Sequence, residues 1–168
     1  MKPNKSDLFL KSITKSSDEA IIGMLSELRE SGEDYMTPIL IELLFSERSE
    51  KLKEEVVNFQ VELKNKSSVE IIANSLNAHK HSKDIHRLVS VCWQSRLDFT
   101  PHIDLFIEIL AEGNYQASLE AFTTIENMTE NLSPEKIKEV GNKIKSLHAK
   151  HPNTQPLIDE LVRVFEDL

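Results

Sequence analysis

A chain of 168 residues with 39% apolar and 29% charged side chains is sized for one domain with its own core, and its composition excludes a disordered or fibrous polymer. Four glycines and 6% aromatics argue against an all-β fold, and no apolar run is long enough to cross a bilayer. The formal net charge of −8 opposes non-specific nucleic-acid binding, which rests on cations neutralising phosphates, and the single cysteine, Cys92, excludes an intrachain disulfide.

The chain begins with the basic Met1-Lys2-Pro3-Asn4-Lys5, but Leu8, Phe9 and Leu10 are too short a run for a signal-peptide core, so a cytoplasmic protein is expected. Residues 1–16 form a basic segment, expected either as a short helix capping the first repeat or as a mobile lead. After Ser17, residues Ile21, Ile22, Met24, Leu25 and Leu28 recur at helical spacing up to Gly32, whose tolerance of positive φ suits it to end a helix. Thr37-Pro38 then opens Ile39 to Phe45, an almost wholly apolar stretch that must be buried on more than one side. The same pairing of helical patterns returns as Leu52–Leu63 with Val69–Leu76, as Ile85–Trp93 with Ile103–Leu110 before Gly113, and as Leu119–Met128 with Ile137–Leu147. After His151-Pro152-Asn153 the period breaks, and a last helix over Leu157–Leu168 closes the end.

Helix-start residues recur about every 32 positions in two interleaved series, Ser17, Ser49, Ser82, Asn114 and Thr37, Ser68, Thr100, Ser133, with prolines at 38, 101 and 134. The reason lies in the first helical turn, whose N–H groups lack partners that a Ser, Thr or Asn oxygen supplies. Ser16 with Glu19 and Ser67 with Glu70 have the spacing of a capping box. Each unit exposes more apolar surface than it can bury alone, so neighbours must stack.

This pattern resembles the HEAT and armadillo-like repeat superfamily over residues 17–150, with units shorter than the usual 40 or so. Tetratricopeptide repeats have a closer period, but their tryptophan, Leu-Gly and tyrosine signature does not recur. The resemblance implies an all-α fold: a right-handed α-α superhelix of about four helical hairpins with a C-terminal capping helix, in one domain over residues 17–168.

Candidate chemistry is sparse. His79, His81, Asp84 and His86 fall within eight residues and are the residue types that bind zinc or nickel, although His86 and Asp84 point about 200° apart on a helix. They carry the alternative reading of a small metal-binding protein or enzyme. Asp104 and Glu108 stand i and i+4, a like-charged pair whose cost a neighbouring Lys or Arg, or a bound basic peptide, would offset. His102 has no serine or cysteine placed beside it, and no phosphate loop, dinucleotide fingerprint or paired-cysteine site occurs. Trp93, Arg87, Arg96 and Asp98 are similar in type to the lesion site of HEAT-like alkylpurine DNA glycosylases, a minor alternative against which Trp93 reads as a core filler between helices.

Repeat arrays present surfaces rather than reactions, and residues 17–48 carry a formal charge of −6. The expected function is therefore a non-catalytic interaction module without a cofactor, binding a protein or basic peptide through the second helix of each unit. The residues expected to make that face are Glu42, Glu70, Asn74, Asn77, His102, Asp104 and Glu108.

Overall fold

The computed structural model describes residues 4–28 and 33–168, so the expected helix end at Gly32 lies outside the described residues. Among the described residues there are ten α-helices and no strand: α1 Lys5–Lys15, α2 Asp18–Leu28, α3 Met36–Leu44, α4 Glu50–Val61, α5 Ser67–Ala78, α6 Ile85–Gln94, α7 Ile103–Glu112, α8 Tyr115–Met128, α9 Pro134–Lys145 and α10 Gln155–Glu166. The basic leading segment is thus helical from Lys5, and it packs on α3 through Ile13 in the core and through an edge-to-face contact of Phe9 with Tyr35.

The even-numbered helices form a contact series, α2 on α4, α4 on α6, α6 on α8 and α8 on α10, while α1 packs on α3 and α3 on α5. Helices consecutive in the chain pack closely at α3 with α4, α5 with α6, α7 with α8 and α9 with α10. The sequence pattern pairs them one step earlier, as α2 with α3 and α6 with α7. At α7 and α8 the cause of the difference is local, because only Gly113 and Asn114 separate the two helices. A Cβ on Gly113 would lie 2.6 Å from Ile109 O and 3.0 Å from Ala117 Cβ, so glycine is there for space rather than for a positive φ. α10 lies against α9, α8 and α7 and covers that end.

One hydrophobic cluster runs from Ile13 to Phe165, with Leu40, Leu44, Leu52, Val56, Ile72, Leu88, Phe106, Leu110, Ile125, Ile144 and Leu161 all wholly buried. Each such side chain contributes roughly 1.5–3 kcal/mol relative to exposure, which is what fixes helices too short to be stable alone. Phe106 meets Phe99 edge to face at 6.2 Å, anchoring the turn between α6 and α7 in the core.

The first series of start signals works largely as expected. Ser17, Ser49 and Asn114 accept the N–H of Ala20, Leu52 and Ala117, while Ser82 takes the N–H of Asp84 in the turn before α6. Of the second series only Ser133 caps by this bond, accepting from Lys136. Thr37 lies inside the first turn of α3 and is buried, Ser68 is buried inside α5, and Thr100 begins a 3-10 turn whose N–H is taken by Asp98. Neither expected capping box forms. Ser16 ends α1 and bonds back to Ser12 O, and Ser67 donates to the Asp34 carboxylate at 2.6 Å.

Candidate interaction surface

α3 is apolar almost throughout because it is buried on several sides, and Glu42 is the acidic residue that its remaining stripe turns outward. On α5, Glu70, Asn74 and Asn77 recur at i, i+4 and i+7 and are all exposed, as are Asp104 and, to a lesser degree, Glu108 on α7. These side chains turn outward from three helices, and His102 lies in the 3-10 turn just ahead of α7.

Every carboxylate of that set is bridged to a basic side chain from another element. His79 Nε2 lies 3.0 Å from Glu42 Oε1, and its ring stacks on Phe45 with centroids 3.9 Å apart and planes 7° from parallel. The next residue reaches the other way, Lys80 Nζ donating to Glu108 Oε1 at 2.6 Å. The dipeptide that ends α5 thus joins α3 to α7. His102 Nε2 lies 2.9 Å from Glu70 Oε1, and Lys143 Nζ on α9 donates to Asp104 Oδ1 at 2.6 Å. The Glu108 carboxylate holds the Lys80 ammonium above the usual lysine range, first through its hydrogen bond and then through its charge. The two imidazole contacts carry charge only while the ring is protonated.

The pairing answers how α7 tolerates Asp104 and Glu108 four residues apart: each has its own lysine, from opposite sides. These lysines lie 28 and 39 residues away, and no local pattern marks them. Exposed pairs of this kind contribute little to stability, because water and salt screen them. What they do is hold these long side chains in place across neighbouring elements.

The structure disperses the histidine cluster. His79 is engaged by Glu42 and Phe45, His81 is exposed, and His86 Nδ1 lies 3.2 Å from Lys83 O. Asp84 faces Lys53 Nζ at 3.9 Å and Arg87 Nε at 3.8 Å. Two cations beside the one carboxylate oppose a third, and among the described residues no three His, Cys, Asp or Glu side chains are placed to hold a metal ion.

The glycosylase-like set is split. Arg87 is taken up by Glu50 and Asp84, whereas Trp93, Arg96 and Asp98 line one cleft of about 380 Å³ where α6 ends. Trp93 is not the core filler expected from its apolar surroundings. It is 38% exposed, and its indole N–H donates to Glu120 Oε2 at 2.6 Å, which gives the polar edge of the ring a partner at the surface. Cys92 beside it is buried, and burial pushes its thiol well above the usual range, so it stays protonated and unreactive.

No helix among the described residues is long and apolar enough to cross a membrane. Comparison with protein-family models, with curated proteins and with solved structures finds no match.

Proposed function

We propose that this protein is a non-catalytic interaction module of the cytoplasm that binds a basic protein or peptide along the face carrying Glu42, Glu70, Asn74, Asn77, His102, Asp104 and Glu108. Its helices are taken to wind as a right-handed α-α superhelix of HEAT or armadillo type, with four hairpins and α10 closing the end. The observation that carries the reading is the row of outward carboxylates on α3, α5 and α7, each already bridged to a lysine or an imidazole from a neighbouring element. A partner's Lys or Arg can take the place of Lys80 or Lys143, whose flexible ammonium swings out to water, or join the imidazole of His79 or His102, so that each carboxylate keeps a basic partner as the surfaces dock.

The formal charge of −8 supports the same reading, because it steers cationic partners before contact. The test is charge reversal on α7. Retention of a partner recovered by affinity purification is abolished in the Asp104→Lys, Glu108→Lys double variant, and unchanged retention refutes the assignment of this face.

A further inference from the structure

The cleft at the end of α6 lies apart from the carboxylate row and carries its own chemistry. Its volume, about 380 Å³, is in the range of small-ligand sites. Its floor is apolar, with Phe99 2% and Met128 5% exposed, and one wall is the Trp93 indole, tethered by Glu120.

The polar groups around that floor are largely unspent. Ser95 Oγ is buried with no hydrogen-bond partner. The Arg96 guanidinium and the Asn127 and Asn131 carboxamides make no hydrogen bond or ion pair among the described residues. The carboxylate lining the cleft, Asp98, is committed to its own turn, its Oδ1 accepting the Thr100 N–H at 2.9 Å and the Thr100 hydroxyl at 2.7 Å. Arg96 is the cationic group of the cleft lining.

An unpaired guanidinium matches a carboxylate, whose two oxygens fit its parallel N–H groups. Carboxamides supply a donor and an acceptor together, which suits an amide in the ligand. A bare inorganic anion would leave the apolar floor and both carboxamides unused. We propose that this cleft binds the carboxylate end of an acylated amino acid or of a polypeptide. The carboxylate sits on Arg96, the adjoining amide on Asn127 and Asn131, and an apolar side chain on Phe99, Met128 and Trp93.

Trp93 is the sole tryptophan, so selectively excited tryptophan emission reports on this cleft. The full chain is titrated with N-acetyl-glycyl-leucine, with its C-terminal amide and with N-acetyl-leucine, following Trp93 emission and the indole N–H resonance. The free acids give a saturable change and the amide gives none. Arg96→Ala weakens binding by about tenfold or more, as expected on losing a charged hydrogen bond, and Arg96→Lys retains part of it. Arg96 is exposed, so both variants fold, and their circular dichroism melts verify it. Tighter binding of the dipeptide than of N-acetyl-leucine assigns a polypeptide end, and equal binding assigns the free acylated amino acid. An equal response to acid and amide, no saturable response in the unaltered protein, or binding untouched by Arg96→Ala overturns the proposal. The probes are synthetic and the protein pure, so the outcome is independent of whether the carboxylate row binds a partner.

Discussion

The carboxylate of Asp18 accepts the backbone N–H of Ser49 through Oδ2 at 2.8 Å, so the first residue of α2 also orients the residue that caps α4, 31 positions on. Its other oxygen takes Arg48 at 2.9 Å, and the same guanidinium reaches Ser16 O at 3.0 Å and Ile13 O at 3.3 Å. Three helices meet in one clamp: the closing carbonyls of α1, the opening of α2 and the cap of α4.

This clamp has a pH signature. The Ser49 hydroxyl and N–H, and then Arg48, hold the Asp18 carboxyl below its ordinary 3.8. A carboxyl depressed by folding stabilises the native state in full above the ordinary value, and that contribution is lost as pH falls through the lower folded value. The difference in melting temperature between the unaltered protein and Asp18→Asn is therefore constant near neutrality and shrinks as the pH is taken below 3.8. Thermal melts monitored by circular dichroism across that range check it.

Two glycines behave oppositely. A Cβ on Gly23 in α2 meets nothing within 4 Å, so Gly23→Ala removes only backbone entropy and stabilises by about 0.5–1 kcal/mol. Gly113→Ala drives a Cβ into Ile109 O and destabilises by roughly 1–3 kcal/mol. Urea unfolding of both variants gives the two signs.

The start signals separate in the same assay. Ser49→Ala, Asn114→Ala and Ser133→Ala each lose a cap bond and cost about 1 kcal/mol. Ser68 looks like their equivalent in sequence but is buried with an unpartnered hydroxyl, so Ser68→Ala is neutral or stabilising.

That contrast marks what the chain makes legible. Helix positions and the caps at Ser17, Ser49 and Asn114 follow from local physics, since a side-chain oxygen needs only the N–H three residues ahead. Thr37 and Ser68 share that composition, yet the helices around them begin one or more residues earlier and draw the side chains inside. The outward placement of Glu42, Glu70, Asn74 and Asn77 follows from helical period alone. Their partners do not, because His79, Lys80 and Lys143 reach the carboxylates of this face only once helices 28 to 39 residues apart are packed. Trp93 reads as a core residue because its neighbours Val91 and Cys92 are apolar, while the tether that keeps it outside, Glu120, lies on α8.

Cys92 supplies a check on the core around the α6 cleft. Its thiol is buried and held protonated by that burial, so a disulfide reagent leaves it unmodified in buffer and labels it at the rate of global unfolding. Rapid labelling in buffer would mean that α6 opens locally.

The proposed docking face is tested most directly by site-specific photocrosslinking. A photoreactive residue is placed at Asn77, among the carboxylates, or at Gln116, exposed on α8. If the proposed face binds a basic protein or peptide, position 77 crosslinks to it and position 116 does not. A crosslink from 116 with none from 77 refutes this face.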